Sequence, residues 1–322
     1  MGKLIAAVMV FFVFINAAIA ATQTYPAKPI RFVIPYPPGG ASDVTARLLG
    51  VKMTETWAQQ VVIDNRPGAN GIIALDLVAK APKDGYTLLM ANLGPNAINP
   101  GVYAKLPYDA EKSFAPVTLT TIVPQVIVAN SSIGVTNLQQ MIALAKSKPG
   151  QTKYGNGGNG SANHLAMEML KSMAGIDIGA IPYKGDAPAL ADLMGGQIQF
   201  ALPTVLAAIA HVKSGRLKAI AVTPKKRVSS LPDVATVAES GFPDYESVSW
   251  GGVMAPAGTP KPVIFRLNAE VLRILKLPDV REKLSGLGAD IVGSTPEEFA
   301  QYLKAEIVKW RTVAKQANVR LD

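Results

Sequence analysis

The chain contains no cysteine, two histidines and only 7% aromatic residues in 322 positions. Without cysteine there is no disulfide framework, no thiol nucleophile and no lipid-anchored N-terminal cysteine. A Ser–His pair could draw its base only from His164 or His211, and no G-x-S-x-G elbow is present to carry the serine. No group of His, Asp and Glu has metal-ligand spacing, so neither a metal nor a catalytic set is expected. After residue 20 no apolar run reaches the roughly 20 uncharged residues that span a bilayer. Charge runs are equally scarce. Lys225-Lys226-Arg227 is the only run of three basic residues; no aromatics interleave with it, and it reads as a solvated loop with no nucleic-acid role.

Among the features that are present, the N-terminus stands out. Lys3 precedes an unbroken apolar run, Leu4 to Ile15, and Ala18-Ile19-Ala20 forms a small-x-small cleavage signal. This pattern predicts a signal peptide over residues 1–20, export to a periplasm, and a mature chain of about 300 residues, enough for two domains. The formal net charge of +9 and a pI near 9.5 suggest an anionic partner.

The stretch Arg31–Arg47 reads as strand, tight turn, helix. Phe32, Val33 and Ile34 are β-formers; Pro35, Pro37, Pro38, Gly39 and Gly40 break the strand. Val44, Leu48, Val51 and Leu49, Met53, Trp57 then recur at helical spacing. The first N–H groups of a helix have no partner within it, and the helix dipole makes that end positive. With Gly40 offering no obstruction, Ala41, Ser42 and Asp43 can present amides to an anion.

Strand and helix patterns alternate at α/β spacing through the rest of the chain. Asn92 to Ala110 carries Pro95, Pro100 and Pro107 and is expected to be irregular. Extended segments leave the first unit near Val123 and return near Val248, which predicts two lobes. The last helix opens with the capping box Thr295-Pro296-Glu297-Glu298, and Phe299, Leu303, Ile307, Trp310 and Ala314 form its apolar stripe.

Gly155-Asn156-Gly157-Gly158-Asn159-Gly160 matches the dinucleotide fingerprint G-x-G-x-x-G. A nucleotide site also needs an acidic residue at the end of the next strand; Asp177 falls at its start. The alternative of an exported hydrolase or a nucleotide-binding oxidoreductase using Gly155–Gly160 is therefore carried second, and no cofactor is expected. Read as an anion cradle, Gly160, Ser161 and Ala162 supply a second helix start. Tyr183-Lys184-Gly185-Asp186 and Pro203-Thr204 supply two more.

YPAKPIRFVIPYPPGGASDVTAR, NRPGANG, KDGYTLL, GSANHLA, PYKGDAPALADLMGGQIQF and SWGGVMAPAGTP together resemble the periplasmic solute receptors of tripartite tricarboxylate transporters, the Bug receptors. The resemblance runs from the signal peptide to the last helix. It implies a two-lobed periplasmic binding protein of type II-like α/β architecture, with domain I formed by residues 26–123 plus 247–322 and domain II by residues 124–246. It implies a monomer that binds a small carboxylate in the cleft and delivers it to the membrane subunits of such a transporter. Carried over onto this sequence, the ligand residues are Tyr36, Pro38, Gly39, Gly40, Ala41, Ser42, Asp43 and Asn92 from the first lobe. The second lobe supplies Gly160, Ser161, Asn163, His164, Lys184, Gly185 and Asp186, and Trp250 on the returning segment lines the cleft. Family members often carry an aromatic residue after that Trp, where this chain has Gly251, which implies a roomier distal pocket.

Overall fold

A computed structural model describes residues 25–321; the expected signal peptide lies outside them. The chain opens with β1 (Ile30–Ile34), α1 (Ala41–Trp57), β2 (Val61–Asn65), α2 (Ile72–Ala79) and β3 (Thr87–Asn92). β1 pairs in parallel with β2 on one side and β3 on the other. A central parallel strand in such a sheet is covered on both faces, and Ile30, Phe32, Val33 and Ile34 are all fully buried, with only the half-buried Arg31 interrupting them. A short helix α3 (Asn99–Val102), the long β4 (Phe114–Pro124), and, late in the chain, β10 (Val248–Pro256) and β11 (Asp290–Ile291) complete a sheet of order β11-β4-β10-β3-β1-β2.

The second sheet has order β7-β6-β8-β5-β9. It is built from β5 (Val126–Asn130), α4 (Leu138–Ser147), β6 (Lys153–Asn156), α5 (Ala162–Ala174), β7 (Gly179–Pro182), α6 (Asp186–Met194), β8 (Phe200–Ala201), α7 (Val205–Lys213) and β9 (Leu217–Val222). β6 runs parallel to β7 and β8, so the starts of α5, α6 and α7 all follow the same sheet edge. The two sheets make the expected two α/β lobes. Three C-terminal helices, α8 (Lys261–Leu275), α9 (Pro278–Gly286) and α10 (Pro296–Gln316), follow β10.

Only Gln125 separates β4 from β5, and β10 returns beside it, Val248 pairing with Pro124. Thr223 Oγ1 donates to the Gln125 carbonyl at 3.1 Å, and Ser247 N–H donates to the Thr223 carbonyl at 3.1 Å. The two crossovers are thus laced together at one place. A second link between the lobes comes from the C-terminus. Leu321 N–H donates to the Val102 carbonyl at 2.9 Å, while its side chain sits against Gly160 of the other lobe.

The capping box at Thr295 and the stripe Phe299, Leu303, Ile307, Trp310, Ala314 stand as expected, all five side chains being buried. The expected irregularity of residues 92–110 is corrected in its first half. Gly94–Ile98 forms a π-turn that leads straight into α3. Pro95 and Pro100 each occupy the first turn of a helical segment, where the missing N–H would have had no intrahelical acceptor.

Candidate functional site

The carboxyl ends of the parallel strands β1 and β3 lie on one edge of the first sheet, and the loop Pro35–Gly40 rises from it into the cleft between the lobes. The N-cap of α1 is Gly40, in extended conformation, and no side chain caps it. Of the helices starting at the cleft, α5 and α7 are capped by Ser161 and Thr204, whose oxygens accept from His164 N and Ala207 N. Among the described residues, the Ala41 and Ser42 amides find no acceptor within the protein. An uncapped helix start of 17 residues is a positive, donor-rich surface.

The loop is fixed from behind. Asp43, though in the first turn, is buried, and its carboxylate accepts from Gly39 N at 2.9 Å, Arg47 Nε at 2.9 Å and Asn65 Nδ2 at 3.0 Å. Burial alone would raise its pKa, but the hydrogen bonds from Arg47, Gly39 and Asn65 outweigh it and hold the carboxyl below its ordinary range. Asp43 and Gly39 therefore shape the loop from behind, and neither borders the cavity between the lobes. Asn92, at the end of β3, donates through Nδ2 to Ser42 Oγ at 3.0 Å and to the Trp250 carbonyl at 3.4 Å. A carbonyl can only accept, so the amide orientation is determined, and what Asn92 keeps buried and unpaired is an acceptor, Oδ1. Burial pushes the Tyr36 phenol up to about 12, so it stays neutral.

In the second lobe the glycine-rich loop spends most of its own amides internally. Gly157 N–H donates to Asn163 Oδ1, Gly158 N–H to Asn156 Oδ1 and Gly160 N–H to His164 Nδ1, at 3.1, 2.9 and 3.1 Å. No row of loop amides remains to cradle a pyrophosphate, which removes the geometric basis of the dinucleotide alternative. Desolvation pushes the His164 imidazole below its ordinary value, keeping Nδ1 unprotonated as the acceptor Gly160 needs. Asn163 also donates to Asp186 Oδ1 at 3.1 Å, and Asp186 Oδ2 accepts from Thr204 N at 3.0 Å. Asn163, His164 and Asp186 thus tie the starts of α5, α6 and α7 together behind the site. Burial raises the Asp186 carboxyl despite the bonds from Thr204.

A cavity of about 550 Å³ lies between the lobes. It brings together Tyr36, Pro38, Gly40, Ala41, Ser42 and Asn92 from one side with Gly160 and Ser161 from the other. Lys184 and Gly185 do not border it, and Lys184 is exposed. Trp250 stands outside this cavity but borders a smaller one behind it. Its indole turns into the first lobe, where Nε1 donates to Glu306 at 3.2 Å and the ring packs edge-on against Phe299 and Tyr302. Ser249, on the opposite face of β10, takes the place in the cleft. Asn70, Asn99 and Ala162 border it too. The sequence carried a signal for Asn70, in the NRPGANG turn, and for Ala162, at a helix start, but none for Ser249. The smaller cavity, of about 130 Å³, lies beyond Ser42, Asn92 and Ser249 toward Trp250, Gly251 and Ala289.

Three comparisons bear on this geometry. A family model described as the tripartite tricarboxylate transporter family receptor matches residues 45–319. Protein BugT of Bordetella pertussis is 35% identical over 325 residues, covering 100% of this chain and 99% of its own. Among solved structures, an R. palustris protein with adipate is 37% identical with a TM-score of 0.79, covering 92% of this chain and 99% of its own. MatC from Rhodopseudomonas palustris, with bound malate, is 32% identical with a TM-score of 0.76, covering 90% of this chain and 99% of its own.

Proposed function

The chain belongs to the receptor family of tripartite tricarboxylate transporters, whose members are periplasmic solute-binding proteins and not enzymes, and on that footing we propose that it captures a small carboxylate in the interlobe cleft and delivers it to the membrane subunits of such a transporter. The observation that carries the reading is the pair of helix starts, α1 and α5, that border one cavity from opposite lobes. Ala41, Ser42 and Ala162 supply amides, Ser42 and Ser249 supply hydroxyls, and Tyr36 and Pro38 shape the wall. The relatives solved with adipate and malate support a carboxylate as the ligand.

A negative group held by neutral dipoles leaves no unpaired buried charge when it departs, which suits a protein that must release its cargo. Export by cleavage after Ala20, and hinging of residues 26–123 plus 247–322 against 124–246 about the laced crossover, belong to the same reading.

The test is Ala41→Pro. Proline is tolerated at the first helical position, and Gly40 before it, at φ −77° and ψ 168°, already has the extended backbone that proline requires. The exchange removes one amide donor and should leave the melting temperature within a few degrees. Loss of a charge-assisted hydrogen bond of about 1.5–3 kcal/mol should weaken carboxylate binding roughly tenfold or more. Titration calorimetry showing undiminished affinity would remove the α1 cradle from the mechanism.

A further inference from the structure

The charge balance of the cleft goes further than the class "small carboxylate". Among the described residues, no charged side chain borders either the 550 Å³ cavity or the 130 Å³ cavity behind it. Positive potential therefore comes from helix starts alone. Each contributes about half an elementary charge, so α1 and α5 together match one carboxylate. A third helix start, that of α7, reaches the smaller cavity through Thr204. Its end is already occupied, because Thr204 N and Oγ1 are both bonded to the Asp186 carboxylate.

The smaller cavity is apolar beyond its mouth, walled by Met90, Thr121, Val123, Gly251, Leu287 and Ala289. At the mouth stands Asn92, a neutral amide whose Nδ2 is already bonded to Ser42 Oγ and the Trp250 carbonyl, so it brings no cation to pair with a second carboxylate. The cavity adjoins the anion site, with Ala41, Ser42, Asn92 and Ser249 bordering both. An apolar cavity of about 150 Å³ can hold a benzene-sized group. Resting on the carboxylate reading above, we infer that this receptor selects monocarboxylates whose uncharged, apolar body of up to about six carbons seats in the 130 Å³ cavity.

The experiment is calorimetric titration of the receptor with two acid series, acetate through hexanoate with benzoate, and succinate, glutarate, adipate and malate. Burial of each methylene should tighten binding about fourfold along the monocarboxylates until the cavity is filled. Each monocarboxylate from butanoate upward should bind at least tenfold tighter than the dicarboxylate of equal carbon number. A dicarboxylate binding tighter than its monocarboxylate counterpart would overturn this inference and leave the carboxylate reading standing. No heat with any acid would overturn that reading and this inference together. Ala289→Leu, which fills the cavity, should lower the ratio of hexanoate to acetate affinity at least tenfold; an unchanged ratio would place the ligand body elsewhere.

Discussion

His164 shows how one side chain can hold a loop by staying neutral. Its Nδ1 accepts the Gly160 amide, and desolvation keeps the imidazole below its ordinary value, with Glu168 pulling the other way and Lys171 reinforcing the shift. The unfolded chain therefore takes up a proton before the folded one does as pH falls below about 6.5. Stability should be fully present above that value and decline as pH drops toward the folded pKa. Urea midpoints measured between pH 7.5 and 5 should show that acid limb, and His164→Asn should flatten it. Gly160 is constrained on its other side. Its φ is +72°, and a Cβ there would lie 2.5 Å from Leu321 Cδ1, so this glycine serves the turn and the contact together.

At the scale of elements, Glu306 on α10 joins that helix to β10. It accepts from Trp250 Nε1 at 3.2 Å and Trp310 Nε1 at 2.9 Å, pairs with Lys309, and is buried. Glu306→Ala would leave two indole N–H groups without acceptors and should cost about 3 kcal/mol, read as a lower denaturant midpoint. The same linkage explains why the Trp250 indole turns into the first lobe. Strand alternation along β10 puts Trp250 and Ser249 on opposite faces, and the buried carboxylate with Phe299 and Tyr302 makes the inner face the one that satisfies an indole. The proline-rich stretch after β3 is the element that composition misread. Three prolines suggest irregular chain, yet two of them stand in first turns, where they stabilise helix entry.

For the whole molecule, the lobes meet along the C-terminal helix α10, which packs on α5, where Gly288 lies against Leu206, and at two further places. The crossover lacing of Gln125, Thr223 and Ser247 sets the hinge, and the C-terminal segment reaches from Val102 of one lobe to Gly160 of the other. Removing residues 319–322 would forfeit the partly buried Leu321 contact, of order 1 kcal/mol. The expected outcome is an ensemble shifted toward open lobes, read as a larger radius of gyration in solution scattering and a severalfold weaker ligand affinity. An unchanged radius and affinity would show that the tail does not bias closure.

The sequence by itself determined the alternation of strands and helices, the two-lobed plan, the family, and the glycine–proline turns where helix starts meet the cleft, because these are local properties of propensity and spacing. The tertiary structure alone decided which amides remain free. Asp43, Asn163 and His164 each look like ligand contacts from their position at a helix start, but in the fold their polar atoms turn back to occupy loop amides or neighbouring helix ends. Ser249 enters the cleft because β10 pairs antiparallel to β3 in the register Gly251 to Asn92. The same pairing faces Trp250 toward Glu306. A hydrogen bond is made with whatever the fold brings within about 3 Å, and that neighbour is chosen by packing far along the chain and not by the residues on either side.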